Sequence, residues 1–267
     1  MDQARFDRAL ALRESGRVEH ALEEFHSMAV ESDDANEEAA LMINEVRCYS
    51  MLGRVSDADH VLENIQELAP DDIIVRANVD FSAACVAAQK GEHGKALLRF
   101  EGMLEDYVDL LKTPEYRDLC EEIQQRRAFS LTHLGRYGEA LPLLKEASSF
   151  STLRADVQQQ VHLYLGICYA ALHEDRLAKE AFLSAIEFDL KNKIEAEARY
   201  RVGVLYFLTG GFAQAKHQLE VILQTYRDEV PNVPRKYVYQ QLSRACHYLG
   251  EKENEKRYAK LAENSSL

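Results

Sequence analysis

Glycines placed to close one helix and open a tight turn recur along this chain at nearly constant intervals. Gly16, Gly53, Gly91, Gly135, Gly210 and Gly250 carry the series, with His173 standing where one more is needed, and the steps are 37, 38, 44, 38, 37 and 40 residues. A period in this range marks a repeated supersecondary unit and takes precedence over element-by-element reading. Fixed offsets from these marks carry further regularity. Five residues beyond them come Ala21, Ala58, Ala96, Ala140, Ala178 and Ala215, and nine beyond come Phe25, Leu62, Phe100, Leu144, Phe182 and Leu219. Seven before them lie Ala9, Val46, Ala84, Ala128, Gly166, Gly203 and Ser243, small in six of seven cases. Each unit is therefore expected to be a helix, a tight turn and a second helix. The small residue on the first helix lets the second approach, and the Phe or Leu fills the space beside it.

Composition agrees with an all-α chain. Only five prolines and twelve glycines occur in 267 residues, 46% of them hydrophobic, and the abundant Ala, Leu, Glu, Arg and Gln lose little side-chain freedom in a helix. The formal charge of −13, with a pI near 5.2, repels nucleic acid and anionic membranes on average. The longest uncharged apolar run, "VGVLYFL" at 202–208, is far shorter than the roughly 20 residues that span a bilayer. The opening "MDQARFDRAL" lacks the basic and apolar regions of a secretory signal. Five cysteines, Cys48, Cys85, Cys120, Cys168 and Cys246, form no C-x-x-C pair. They read as small hydrophobes in a reducing cytoplasm, not as a disulfide or metal framework.

The residues Leu165-Gly166, Tyr169, Ala178, Phe182 and Ala185, with Pro70 at a unit's end, resemble the tetratricopeptide repeat. That repeat is usually about 34 residues long, so the excess is assigned to extra helical turns. It is clearest at 113–134, where Thr113 is expected as N-cap and Pro114 at the first helical position. The resemblance covers almost the whole chain. It implies one α-solenoid domain over 1–267, a right-handed superhelix of about seven helix-turn-helix units at 2–33, 37–70, 75–112, 114–150, 153–190, 193–228 and 234–264. Glu255 replaces the expected alanine in the last unit, which suits a terminal repeat whose outer face is wet. "ESDDANEE" (31–38) and "RDEVPNVPR" (227–235) read as loops between units.

Turning each residue by about 100° puts Leu165, Gly166 and Tyr169 on the side of the first helix that meets the second, and Gln160, Leu163, Tyr164 and Ile167 opposite. By resemblance to tetratricopeptide solenoids, that opposite side lines a concave surface on which partner peptides lie. In the earlier units the same side carries Asn44, Arg47, Asn78, Gln125 and Arg126, and in the later ones Tyr200, Arg201, Phe207, Gln241 and Arg244. Amides there are suited to pairing with peptide backbone. The arginines present planar forks to an acidic or C-terminal carboxylate; the plainer reading has them answer Glu122 and Glu197 as solvated ion pairs. Leu163, Ile167, Val204, Phe207 and Leu208 read either as a pocket for a partner's apolar side chains or as contact between successive first helices. The Lys/Asn/Asn/Lys/Arg set with which some tetratricopeptide co-chaperones clamp a terminal carboxylate is missing: Phe6, Leu10, Asn78 and Ser82 replace four members and only Asn44 matches.

No H-E-x-x-H, G-x-S-x-G, P-loop or dinucleotide fingerprint occurs, and the nine histidines are scattered. His20 with Glu24 reads as a solvated i, i+4 contact, and Pro142 as a residue near a helix start, where its missing N–H costs little. No catalytic residue, metal site or cofactor is expected. The leading expectation is a cytoplasmic, non-enzymatic adaptor or scaffold that binds a protein or peptide, with neither nucleic acid nor membrane as partner. The alternative is a structural or regulatory homo-oligomer whose groove is filled by its own or another copy's terminal helix; Tyr258, Leu261 and Ala262 supply a modest apolar stripe for it.

Overall fold

The computed structural model describes residues 2–150, 154–226 and 233–265. Among them are fifteen α-helices and one 3-10 helix, in the order the sequence period demands. Helices α1 (Gln3–Glu14) and α2 (Val18–Glu31) are followed by α3 (Ala35–Met51) with α4 (Val55–Leu68), and by α5 (Ile73–Gln89) with α6 (His93–Asp106). The short α7 (Val108–Leu111) and the 3-10 turn Pro114–Tyr116 lead into α8 (Arg117–His133), then α9 (Tyr137–Ala147). The remaining pairs are α10 (Ala155–Ala171) with α11 (Asp175–Glu187), α12 (Lys193–Leu208) with α13 (Phe212–Thr225), and α14 (Arg235–Leu249) with α15 (Lys252–Asn264). Contacts gather into two compact units, Met1–Leu134 and Gly135–Leu267. Residue 153 of the fifth expected hairpin, and 227–232 of the stretch read as a loop at 227–235, lie outside the described residues.

The turns explain the glycine series. Gly16, Gly53, Gly91, Gly135, Gly210 and Gly250 all have φ between 72° and 82°, and His173 adopts φ 62° at the seventh mark. Left-handed backbone reverses the chain after a helix and frees the next N–H to reach back. Arg17 N donates to Leu12 O at 2.9 Å, Arg54 N to Tyr49 O at 2.9 Å and Glu174 N to Tyr169 O at 2.8 Å, the same six-residue closure each time. Second helices need no side-chain cap after such a turn, and none is formed at Arg17, Arg54, Glu92 or Glu174. First helices follow open connections instead. Asp2, Asp34, Asp72 and Asn192 cap α1, α3, α5 and α12 by accepting from backbone N–H groups within the first turn.

Packing follows the offsets. In the first unit α2 lies against α1 and α3, α4 against α3 and α5, and α6 against α5 and α8. In the second, α11 bridges α10 and α12, and α13 bridges α12 and α14. The six alanines at the five-residue offset are fully buried, and Phe25, Phe100 and Phe182 beside them are at most 1% exposed. Each such phenylalanine contributes about 1.5 to 3 kcal/mol by leaving water. At Gly166 the fit is tightest: an added Cβ would stand 2.4 Å from the Phe182 ring. At the chain's end Ser243 is half-buried and its Oγ donates to Glu255 O at 3.1 Å, a polar contact at the terminal hairpin. Tyr258 and Ala262 are buried in that hairpin, with Leu261 packed beside them on the same core, so the stripe of α15 is used internally.

Several local expectations are corrected. The longest interval is filled by α7 and the 3-10 turn, not by lengthening of α8; Thr113 and Pro114 stand at the N-cap and first positions of that 3-10 turn, but the Thr113 side chain does not cap it, its Oγ1 donating back to Leu110 O at 2.8 Å. "ESDDANEE" is loop only at Ser32–Asp34, because Asp34 Oδ1 accepts from Glu37 N at 2.8 Å and starts α3 inside the acidic run. Pro142 sits within α9, well past its first turn, because the preceding turn is so short that the helix begins at Tyr137. Glu24 pairs across to α1, accepting from Arg5 Nε at 2.9 Å and Arg8 Nη2 at 3.2 Å, where the sequence had suggested His20. Between α10 and α12 a buried polar chain appears that periodicity does not predict. Fully buried Gln159 donates to Ala185 O at 3.1 Å and accepts from Asn192 Nδ2 at 2.7 Å, while Arg199 Nε donates to buried Glu195 at 2.8 Å.

Candidate functional site

The side of the first helices turned away from their own second helices is the surface left for a ligand. In the first unit it is built from α1, α3, α5 and α8. A ladder of arginine and asparagine crosses it. Arg13 Nη1 donates to Asn44 Oδ1 at 2.7 Å, and one repeat later Arg47 Nη2 donates to Asn78 Oδ1 at 3.0 Å. Each asparagine also donates its amide to a carbonyl one turn earlier, Asn44 to Ala40 O and Asn78 to Ile74 O, both at 2.9 Å. The asparagines are thus fixed, and they hold the guanidinium groups in place. Burial, then the charge of Arg13, lowers the pKa of Arg47, with Glu122 acting in the opposite sense.

Arg126 donates to Glu122 Oε1 only at 3.4 Å, with both side chains about two-fifths exposed. Its Nε is buried with no hydrogen-bond partner among the described residues, and so is Ser82 Oγ on α5. Cys85, one turn beyond Ser82, has its thiol pushed up to about 11, first by burial, with Arg126 and Arg47 drawing it down and Glu122 raising it. Gln125 is 2% exposed and presents no open amide. The sequence pattern did not include Arg13. The pairs Arg13/Arg47 and Asn44/Asn78, each separated by 34 residues, were the available signal.

In the second unit the corresponding side belongs to α10, α12 and α14. Gln160 is half-exposed, whereas Tyr164 is 9% exposed. Leu163 and Ile167 pack into the core around Phe182, Val202 and Leu205, so they serve contact between hairpins. Arg201 is held by Glu197, with Nε at 2.9 Å and Nη2 at 2.6 Å from one carboxylate oxygen. Half-buried Tyr200 has its hydroxyl pKa raised by burial and by neighbouring Tyr237. Phe207 joins a different group: the Arg244 guanidinium lies 4.7 Å above its ring, and Phe212 and Tyr248 meet it edge-on at 5.3 and 5.6 Å. Arg244 also reaches Gln241 Oε1 at 3.5 Å. Leu208 remains 70% exposed beside this cluster and Tyr248 61% exposed within it.

Among the described residues no group of three or more His, Cys, Asp or Glu is placed to hold a metal ion, and no helix is long and apolar enough to cross a membrane.

No protein-family model and no curated protein sequence matches the chain. Solved structures do. PilF of Pseudomonas aeruginosa aligns over 84% of this chain and 90% of its own, with 17% identity and a TM-score of 0.63. RapI in its apo form aligns over 97% of this chain and 75% of its own, with 12% identity and a TM-score of 0.73. Tetratricopeptide-like repeats of a kinesin light chain from Podosopora anserina align over 71% of this chain and 94% of their own, at 18% identity and a TM-score of 0.51. Identities this low speak for the fold, and together with the repeated turns and the helix order they establish it: the protein has the all-α tetratricopeptide-repeat fold, an α-solenoid of stacked helical hairpins.

Proposed function

We propose that the protein is a non-enzymatic interaction scaffold that holds a peptide or protein segment along the concave side of its first helices. The observation that carries this reading is the composition of that side in the first unit. Arg13, Arg47 and Arg126 gather there in a molecule of formal charge −13, two of them positioned by asparagines. Arginine is the residue suited to planar, bidentate recognition of carboxylates, and amide-rich surroundings suit an extended backbone. The preferred partner is accordingly a segment with acidic groups, and the exposed Leu208 and Tyr248 of the second unit suit apolar side chains. A repeat frame states how a partner is held and leaves its identity to side chains.

The reading is tested by affinity purification from the native cell with paired variants. Arg126→Ala, Gln160→Ala and Arg201→Ala alter the first-helix side; Glu23→Ala, Leu98→Ala and Glu180→Ala alter exposed positions on second helices. Loss of specific co-purifying proteins is expected for the first set alone, with helical content unchanged by circular dichroism. Equal profiles for both sets would contradict the proposal.

A further inference from the structure

Within each unit, second helices lie against the first helix of the following hairpin, as α2 does on α3, α6 on α8 and α13 on α14. Residues two, six and ten places beyond the turn mark make that contact. From the first of these positions His93 stacks on His133 at 4.0 Å and Phe212 on Tyr248 at 4.4 Å. From the second, Lys179 Nζ lies 5.1 Å from the centre of the Tyr206 ring. From the third, His26 and Glu101 pair with Glu45 and Arg127 at 3.3 and 3.4 Å. On α15 the same positions hold Lys252, Lys256 and Lys260, an exposed i, i+4, i+8 ridge without an ion-pair partner among the described residues. α14 is the only described helix packed broadly on α15. A second feature adjoins the ridge. Nine places beyond the mark six hairpins carry Phe or Leu, but the seventh carries Ala259, and seven places before its mark stands Ser243. The space that a larger side chain fills elsewhere is left as an open groove of about 600 Å3, with Lys236 and Arg244 on its α14 wall and Ala259 and Ala262 on its α15 wall; Glu263 is the one acid among its lining residues.

We infer that the outer side of α15 is a second docking surface, and that it takes an acidic amphipathic helix of another protein, laid along α15 as the first helix of one more hairpin. A bulky apolar side chain of that helix fills the groove beside Ala259, and acids at i and i+4 face Lys260 and Lys256. The offsets supply both demands. The partner residue opposite Lys260 stands eight places before a turn mark, where Glu45 meets His26 and Arg127 meets Glu101. The residue opposite Lys256 stands four places before it, as Tyr206 does against Lys179. α14 carries no Asp or Glu, so the other wall of the groove is basic as well. A second copy of this chain fails the same rule. Eight places before Gly16 its α1 carries Arg8, which would set like charges face to face at Lys260. Lys256, Lys260 and Ala259, the main determinants here, are separate from the residues proposed above for the concave side.

Fluorescence anisotropy on the full chain tests this with two fluorescein-labelled synthetic helices. They share one leucine stripe and differ only at two flanking i, i+4 positions, Glu in one and Lys in the other. The Glu helix is expected to bind about tenfold or more tighter at low salt, because the exchange turns two attractions into two repulsions, each small by itself. High salt should remove that advantage. Lys256→Glu/Lys260→Glu, which changes exposed side chains only, should reverse the order of the two helices. Ala259→Phe restores the kind of side chain that the other hairpins carry, so it should abolish binding of both, whereas Arg126→Ala should leave binding unchanged, all with the same circular dichroism. Equal affinities, binding of neither helix, a preference that survives the double lysine variant, or binding indifferent to Ala259→Phe would overturn the inference. Sedimentation velocity offers a further contradiction: end-to-end assembly of the wild-type chain, abolished by Ala259→Phe, would place a second copy in the groove and overturn the choice of occupant.

Discussion

Gly166 and Phe182 are in direct contact across the α10–α11 hairpin: a Cβ on Gly166 would meet Cδ1 and Cε1 of the ring at 2.4 Å. Phe182 is 1% exposed, so its ring is enclosed by the surrounding core. Gly166→Ala is therefore expected to destabilise the protein by about 1 to 3 kcal/mol despite alanine's better helix propensity. Gly203 has a looser neighbour, Leu219 Cγ at 3.2 Å, so Gly203→Ala should be nearly neutral. Urea denaturation checks both, and Phe182→Leu should recover part of the loss in the Gly166→Ala background.

His173 occupies the one left-handed turn of the series that lacks glycine, at φ 62°. A side chain in that region costs about 1 to 2 kcal/mol. His173→Gly should raise stability by about 1 kcal/mol, and Gly210→Ala should lower it by a similar amount. Thermal denaturation of the two variants, run side by side, reads the opposite signs directly.

Pro142 interrupts α9 from within, with no N–H to donate to the carbonyl of Gly138 one turn back. Pro142→Ala should strengthen the helix and stabilise the chain by about 1 to 3 kcal/mol, reduced by the freedom that alanine adds to the unfolded state. Hydrogen exchange at Tyr137–Ala147 should slow with it.

Glu45 is 3% exposed, and among the described residues its carboxylate meets only His26 Nδ1, at 3.3 Å. Burial raises its pKa above the ordinary 4.5, with His26 opposing. The folded state thus binds the proton more tightly than the unfolded chain, so this contribution to stability is present below pH 4.5 and is lost as pH rises through the folded value. Glu45→Gln should raise the melting temperature at pH 7, and the difference from wild type should shrink as pH falls below 4.5. A constant difference across that range would contradict the assignment.

The repeat was legible because its causes are local. A left-handed turn selects glycine, and a close helix crossing selects Gly or Ala, so Gly53, Ala58 and Leu62 announce a hairpin from spacing alone. Features set by rotamers were not legible. Whether Glu24 meets His20 or Arg5 depends on how far α1 leans over α2, and Thr113 turns back to Leu110 because α7 ends just before it. On the candidate face, helix phase placed Arg47, Asn78 and Arg126 on one side. It missed Arg13, whose place follows from the 34-residue offset to Arg47 and from its bond to Asn44. Phase also gave Leu163 and Gln125 to the ligand side, although both are buried.

The central claim is that partners lie on the first-helix side. Site-specific photo-cross-linking in the native cell tests it most directly, with benzoylphenylalanine introduced at Arg126 or Gln160 on first helices, and at Leu98 or Glu180 on second helices. Partner peptides cross-linked from the two first-helix positions, with none from the two second-helix positions, are the predicted result. Cross-links confined to the second helices, or equal at all four positions, would contradict it.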